Sequence, residues 1–471
     1  MKKIIRGGVK PHRLYMALIC VAVLTNLLMA ATFSYADTNS LTAWSLNFWD
    51  LLFKGRLKEF YQYAALNLRG SSHANCAGNY LWLLPLCIWN FPLWVIHCLA
   101  DILSVRNFFS IFWSKLFFMV MQYIMACFSA KICYMLTKNK ERAISTLILI
   151  LLSPEILMST GYAGQDEIVY ICFFVLGLYC YFMRYWKRCY LLMVCSVTCC
   201  PIMLIPVLAL LLLKEKNIYK LALAGVVLVM PLLIFEVLYR NDGIYQVVKE
   251  ENGFAGIIEG MLLTSKVSLS GNTVSVCGVL LCVIFFICYG SEQEENEAYK
   301  QKVIYLCAVI FGAISFLMSN RFYRLFLYVP YLVLLIMISA QDLRMNLLLF
   351  TLVTYGRAYY SLRAEYPQNM NTAYLMENSW ITELCDLMGS DIYLASSDRY
   401  GVCLWTRFHQ SSTVYHMVVA TCVFAAMALL LMINHPKYKY SHEIALPGKL
   451  ILTVCAMCMP VILAAFYIVL L

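Results

Sequence analysis

Long apolar runs separated by short basic connectors constrain the fold of this chain more than any other feature of its sequence. The first run, residues 14–33, is long enough to cross the roughly 30 Å hydrocarbon core of a bilayer as a helix with a rise of about 1.5 Å per residue. The chain is 62% hydrophobic and 13% charged, and a soluble protein of this length needs more charge to cover its surface. The sequence therefore predicts an all-α, polytopic membrane protein.

Basic residues indicate the cytoplasmic side of the membrane, because short cytoplasmic loops carry an excess of Lys and Arg. Lys138, Arg188 and Lys214 each lie in such a connector, and the tail before the first run is basic as well. This assigns the N-terminus to the cytoplasm and explains the net charge of +10 without a nucleic-acid partner. Residues 34–36 (SYA) resemble a signal-peptide cleavage site, but the length of the first run favours an uncleaved helix.

The apolar runs predicted as membrane spans are residues 14–33, 108–136, 143–160, 167–184, 218–239, 272–290, 303–319, 324–340, 345–360, 414–433 and 449–470. Residues 80–100 are apolar too, but Pro85 and Pro92 interrupt them, which favours a broken helix or a re-entrant hairpin. Residues 190–213 lie between two basic connectors and are too short to cross the membrane twice. A short hairpin about Pro201 is predicted there, with one kinked span as the alternative.

The whole chain, residues 1–471, is predicted as a single transmembrane domain with three long outer segments, which are residues 34–79, 240–271 and 361–412. In the first of these, residues 41–53 and 57–68 are amphipathic and rich in aromatic side chains, a composition typical of helices lying at the membrane surface. In the third, a helix followed by a short strand predicts a small outer α/β-like loop.

Three residues of the first outer segment are candidates for a functional site. Asp37 and Asp50 place carboxylates just beyond a membrane span, where they can reach a substrate that has a lipid part in the bilayer and a head group outside it. The alternative is that Asp37 is the first solvated residue after a helix. His73 lies in the same segment and is a candidate for substrate contact, with an ordinary solvated histidine as the alternative.

A second candidate stretch is GYAGQDE, residues 161–167, which the basic connectors assign to the same outer face as Asp37. Its two glycines predict a loop that approaches a ligand closely. Gln165, Asp166 and Glu167 follow as candidate substrate-binding residues at the start of the next span. Acidic residues are also favoured in the first turn of a helix by its dipole, so capping is the alternative.

A third candidate group is basic. Arg321 and Arg324 lie at the outer ends of adjoining spans, where the positive-inside rule disfavours arginine, and Arg357 lies near the outer end of its own span. Such cations suggest an anionic ligand such as a phosphate, and the alternative is that they reach towards lipid phosphates. The sequence contains no phosphate-binding loop, serine-hydrolase elbow or zinc motif, and its cysteines lie mostly inside apolar runs.

The order of these features resembles the membrane glycosyltransferases of the C type (GT-C), in particular bacterial enzymes that use polyprenyl-phosphate sugars. In that family a GQ-(N/D)-(D/E) loop precedes a span, as residues 164–167 (GQDE) do here. A hairpin with a central KP or xP follows, here Cys200-Pro201 without the family's lysine. The similarity covers residues 1–215 in order, and residues 319–330 are similar to the family's outer Arg/His-Tyr segment.

The resemblance implies a GT-C-like bundle of about 11–13 transmembrane helices in a bacterial-type cytoplasmic membrane. It implies an inverting hexosyltransferase that moves a sugar from a polyprenyl-phosphate donor to a saccharide, lipid or protein acceptor at the outer face. The family's catalytic Asp corresponds to Asp37, but its paired acids are absent, so the choice between Asp37 and Asp50 stays open. No cofactor is required, and a divalent cation at Asp166 or Glu167 is left open. The alternatives are a transporter or flippase for lipid-linked saccharides and a polysaccharide polymerase or O-antigen ligase.

Overall fold

A computed structural model of the chain describes residues 11–71, 73, 76, 80–252, 259, 265–269, 272–291, 297–317, 326–339, 343–364, 374–375 and 413–436. The helices are α1 (Pro11–Thr32), α2 (Ala36–Phe53), α3 (Phe60–Leu66), α4 (Leu84–Leu99), α5 (Phe108–Thr137), α6 (Lys140–Leu151), α7 (Pro154–Ile156), α8 (Glu167–Phe182), α9 (Trp186–Cys199), α10 (Leu204–Lys214), α11 (Ile218–Tyr239), α12 (Gly243–Asn252), α13 (Val276–Gly290), α14 (Glu297–Leu317), α15 (Val329–Ile338), α16 (Leu343–Ala364) and α17 (Thr413–Ile433). The strands are β1 (Phe33–Ser34), β2 (Lys266–Leu269), β3 (Asn272–Ser275) and β4 (Tyr374–Leu375).

The described chain is almost entirely helical, which confirms the predicted all-α class. Within the described ranges, five helices are long and apolar enough to cross a membrane: Arg13–Ala31, Tyr80–Leu99, Phe108–Thr137, Ile218–Tyr239 and Glu297–Leu317. A sixth candidate span is the pair Lys140–Leu151 and Pro154–Gly161, which is bent by 44° at its break. Other apolar helices are shorter, so the structure supports a multi-span membrane protein without fixing the expected number of spans.

The two strand pairs are short and lie outside the apolar helices. β1 pairs antiparallel with β4, with Phe33 opposite Leu375, which brings the third outer segment to the start of α2. β2 pairs with β3 in a hairpin, so α13 begins at Val276 and the span predicted from residue 272 was too long. The helix and strand predicted within residues 376–412, and the span at 449–470, lie outside the described residues.

The apolar stretch beginning at residue 80 forms one helical rod. A 3-10 turn, Tyr80–Leu83, leads directly into α4, whose first turn contains Pro85 and whose interior contains Pro92. A proline fits the first turn because the N–H it lacks has no partner there. The buried Asn90 amide donates to the hydroxyl oxygens of Ser45 (2.8 Å) and Ser114 (3.1 Å). The prediction of a broken helix was wrong, because neighbouring helices supply the partners that this polar residue needs.

α9 and α10 form the hairpin predicted about Pro201. Cys200 is extended, with φ −146°, and joins the two helices through a 3-10 turn. The Lys214 amine at the end of α10 lies over the ring of Trp186 at the start of α9. The chain therefore returns to the level from which it entered, which excludes one continuous kinked span.

α2 is a polar helix enclosed by protein. Every residue from 38 to 48 is buried, and the helix packs on α4, α5 and α3. Its polar side chains find partners within the protein; for example, the Asn47 amide donates to the Asn67 carbonyl (2.8 Å). The mixture of aromatic and polar residues in 41–53 therefore serves contacts with three helices, and their location at the membrane surface stays a prediction. Residues 57–68 form a 3-10 turn and α3, whose Phe60 and Tyr61 are buried.

Candidate functional site

The first turn of α2 meets the turn that precedes α8. The Thr38 hydroxyl donates to the carbonyl of Ala163, and the Lys115 amine donates to the carbonyl of Gly161 at 3.0 Å. Gly164 has φ +57°, and a Cβ atom there would lie 2.7 Å from Thr38 Oγ1 and 3.2 Å from Lys115 Cγ. Gly161 lies equally close to α1, since its Cβ would be 3.0 Å from Met29 Cβ. Both glycines therefore make room for protein contacts, whereas the sequence suggested room for a ligand.

This contact brings together three of the candidate residues named from the sequence. The Gln165 amide donates to Oδ2 of Asp37 at 2.8 Å, and Nε2 of His73 is 3.0 Å from Oδ1 of the same carboxylate. These residues are 128 and 36 positions from Asp37 along the chain. A direct hydrogen bond places Asp37 and GQDE at the same end of the bundle, as the connectors predicted. The Asp37 side chain remains 30% exposed, so it is oriented by protein and still open to a reacting molecule.

The backbone of His73 is held by Ser71 and Ser40, while its side chain stays half exposed. Its N–H lies 3.1 Å from Ser71 Oγ and 3.2 Å from Ser40 Oγ, and the Ser71 hydroxyl donates to the His73 carbonyl at 2.6 Å. The hydrogen bond to Asp37 raises the pKa of His73 above its ordinary value, and burial opposes this rise. His73 is therefore a titratable group in direct contact with the Asp37 carboxylate.

Asp166 and Glu167 directly follow Gln165, which is hydrogen-bonded to Asp37. Glu167 is 6% exposed in the first turn of α8. The Asp166 carboxylate is close enough to Cys76 and Cys199 to act on both thiols electrostatically. Burial, and then Asp166, raise the pKa of Cys76. Because Cys199 ends α9, the apex of the hairpin lies near GQDE.

The Asp50 carboxylate accepts hydrogen bonds from three protein side chains. One of its oxygens accepts from Arg69 (2.6 Å) and Tyr63 (3.1 Å), and the other accepts from the indole of Trp94 (2.9 Å). Its side chain is 11% exposed. Asp37 and Asp50 are thirteen residues apart on one helix, hence about 20 Å apart at 1.5 Å per residue. Asp37 is therefore the more accessible of the two carboxylates.

Arg357 lies deep in the bundle, at 4% exposure. Its guanidinium donates to the Ser315 carbonyl and stacks over the Phe316 ring, 4.4 Å from the ring centre. It also interacts electrostatically with Glu155, a residue that the sequence reasoning did not select. Arg321 and Arg324 lie outside the described residues.

Lys115, like Glu155, was not among the candidate residues chosen from the sequence. It is fully buried within α5, and its side chain packs beside Gly164 and Thr38. The sequence did carry a signal for it, because a lysine inside an apolar span is costly and marks a functional or structural contact. Among the described residues, no three His, Cys, Asp or Glu side chains converge in a way that could hold a metal ion.

No protein-family model, curated protein or solved structure matches this chain. The resemblance to GT-C enzymes therefore depends on the motifs and their order, and the arrangement around Asp37 is an independent observation.

Proposed function

We propose that this protein transfers a sugar from a polyprenyl-phosphate donor to an acceptor at the outer face of the membrane, with Asp37 as the general base. The observation that carries the proposal is the carboxylate of Asp37 held between Gln165 and His73 while still partly exposed. Two loops far apart in sequence converge on one acidic group, which is the arrangement that acid–base chemistry requires.

In the proposed reaction the acceptor hydroxyl attacks the anomeric carbon and loses its proton to Asp37. The carboxylate needs a fixed orientation to lie within hydrogen-bond reach of that hydroxyl. The Gln165 amide supplies this orientation, because it binds Oδ2 without adding or removing charge. His73, whose side chain is 51% exposed, is placed to accept the proton from Asp37 and release it to water.

The bond from the anomeric carbon to the phosphate oxygen breaks as the new glycosidic bond forms, and the lipid phosphate leaves with the bonding electrons. Its charge requires a cation nearby. In the proposal this role belongs first to Arg321 and Arg324. Arg357 is a weaker candidate, since Glu155 already acts on its charge. Asp166 and Glu167, next to Gln165, bind sugar hydroxyls.

The test is a transfer assay with purified protein in nanodiscs. A radiolabelled polyprenyl-phosphate sugar is supplied together with a membrane extract of acceptors and without any nucleotide sugar. Label should pass from the lipid phosphate to an acceptor, and the configuration at the anomeric carbon should invert. Transfer that depends on added nucleotide sugar would overturn the proposal.

A transporter for a lipid-linked saccharide is the second candidate, and a specific observation favours it. Three charged side chains are buried in the bundle. Lys115 lies in a candidate span and Glu155 in the bent helix pair, and Arg357 lies in α16. Transporters place such groups and broken helices around their substrate. The same nanodisc assay, repeated in sealed vesicles, distinguishes the two, because a transporter moves the labelled lipid across the bilayer without breaking its sugar–phosphate bond.

A further inference from the structure

A narrow groove opens between α8, α9 and α10, at the end of the α9–α10 hairpin that lies away from Pro201. Its walls, which define it here as the hairpin groove, include the apolar parts of Tyr181, Trp186, Cys189, Met193, Leu210 and Leu211. The space within it, open mouth included, is about 340 Å³. Trp186 precedes Cys199, the residue near GQDE, by thirteen positions on α9, about 20 Å at 1.5 Å per residue. The groove is therefore separate from the site around Asp37.

The mouth of the hairpin groove carries a concentration of positive charge. From residue 168 to residue 214 the chain has no acidic residue. The basic residues of this stretch all lie at the open end of the hairpin, and they are Arg184, Lys187, Arg188 and Lys214. The next acid along the chain, Glu215, is paired with Lys220 at 3.6 Å. The groove therefore ends among cations that face little opposing charge from their own segment.

The structure holds these cations beside the groove. Arg184 lies at φ +61°, and its N–H donates to the Tyr181 carbonyl at 3.1 Å, so the chain turns sharply from α8 into α9. The Lys214 amine, on the opposite limb of the hairpin, lies over the Trp186 ring. Because Tyr181 and Trp186 also line the groove, the basic connector and the groove form one unit.

Aromatic residues place the mouth of the groove at the depth of lipid head groups. Tyr185 and Tyr190 are 48% and 37% exposed, and both lie next to the basic residues of the connector. Tyr and Trp concentrate at the interface between membrane and water, and basic connectors lie on the cytoplasmic side. A lipid phosphate of that leaflet would therefore lie level with the cations at the mouth.

The groove and its charges together select the chemistry of a ligand. A soluble anion would leave the apolar groove unfilled, and a neutral lipid would bring no net negative charge to the mouth. Basic pockets between membrane helices on the cytoplasmic side bind anionic lipid head groups. We propose that the hairpin groove binds one anionic phospholipid, with an acyl chain along the groove and the phosphate among Arg184, Lys187, Arg188 and Lys214. This proposal does not depend on sugar transfer at Asp37.

The experiment uses the full chain in nanodiscs of phosphatidylcholine. Two probes are compared, a phosphatidylglycerol and a phosphatidylcholine that carry the same diazirine on an acyl chain, and labelled peptides are identified by mass spectrometry after photolysis. The phosphatidylglycerol probe should label residues 186–193 and 207–211 about tenfold more than the phosphatidylcholine probe, and unlabelled phosphatidylglycerol should remove the label. Equal labelling by the two probes would overturn the proposal, and so would equal competition by inorganic phosphate.

The matched variants remove two positive charges each from connectors on the same side of the membrane. One combines Lys187→Gln with Arg188→Gln, and the control combines Lys138→Gln with Lys140→Gln. All four side chains are exposed, so both variants should fold normally. Labelling by the phosphatidylglycerol probe should fall about tenfold in the first variant and stay unchanged in the control. Equal losses in the two variants would mean that the general surface charge attracts the probe, which contradicts a site at the groove.

Discussion

Replacement of Gly164 by alanine tests the contact that brings GQDE to Asp37. Gly164 has φ +57°, and alanine pays about 1–2 kcal/mol for that backbone conformation. The new Cβ would also lie 2.7 Å from Thr38 Oγ1. Displacing Thr38 removes its hydrogen bond to Ala163, which is worth about 1 kcal/mol. The free energy of unfolding should therefore fall by about 2–3 kcal/mol.

Gly55→Ala is the matched control. Gly55 has φ +65° with nothing within 4 Å of a built Cβ atom, so this variant carries the backbone cost alone, about 1–2 kcal/mol. Unfolding is measured by denaturation in mixed micelles, and sugar transfer by the nanodisc assay. Gly164→Ala should be the less stable variant and should lose about 100-fold in transfer, because Gln165 moves away from Asp37. Equal stability of the two variants, with full transfer in Gly164→Ala, would refute the reasoning.

Three further predictions concern single side chains. His73→Gln should remove the limb of the pH–rate profile above pH 6.5. The hydrogen bond to Asp37 raises the pKa of His73, so this bond stabilises the fold fully below the unfolded pKa and is lost as the pH rises through the folded pKa. Loss of the bond frees Asp37 to act as a base, and an unchanged profile in the variant contradicts this role. Thr38→Val should lower the free energy of unfolding by about 1 kcal/mol and slow transfer at least tenfold, because it removes the hydrogen bond to Ala163. The control is Thr42→Val, which breaks a hydrogen bond within α2 only. Equal transfer rates in the two variants would count against a role for the Thr38–Ala163 bond. Asp50→Asn should cost about 3 kcal/mol by breaking its largely buried pair with Arg69. Glu59→Gln, which breaks the exposed pair with Arg56, should cost less when both are measured by denaturation, and equal losses would mean that the Asp50 pair is solvent-screened.

The sequence predicted most of the helices because their apolar runs are long and their connectors are basic. α1, α5 and α11 have nearly the bounds that hydropathy indicates. The sequence also placed Asp37 and GQDE at one end of the bundle, since the side of the membrane follows from charge. The hairpin about Pro201 followed from its length and from the basic connectors on both sides of it.

α2 and α4 show where such reasoning stops. A helix with aromatic and polar residues suits both a membrane surface and a pocket lined by other helices, and local composition does not say which. α4 contains Pro92 and Asn90, which read as a break, yet Ser45 and Ser114 satisfy the asparagine from other helices. In both cases contacts with other helices determine where the helix lies, and the sequence of the helix itself does not reveal those contacts.

The site was predicted only in part, because some of its contacts have no signature in the sequence. The pairing of Asp37 with Gln165 joins two loops that the sequence had each marked, whereas the position of His73 depends on bonds to Ser40 and Ser71 that have no sequence signature. Glu155 was passed over because an acid just after a proline resembles an ordinary residue of a first helical turn. Its burial beside Arg357 is visible only in the folded chain.

The most direct test of the account is single-turnover transfer from a polyprenyl-phosphate sugar by Asp37→Asn and Asp50→Asn, with bound donor measured in the same samples. Asp37→Asn should bind the donor and fold like the parent protein but lose at least 1,000-fold in transfer, because an amide cannot accept the acceptor's proton. Asp50→Asn should be less stable and, where folded, retain transfer. Full transfer by Asp37→Asn would contradict the assignment of the base and the proposed function that is built on it.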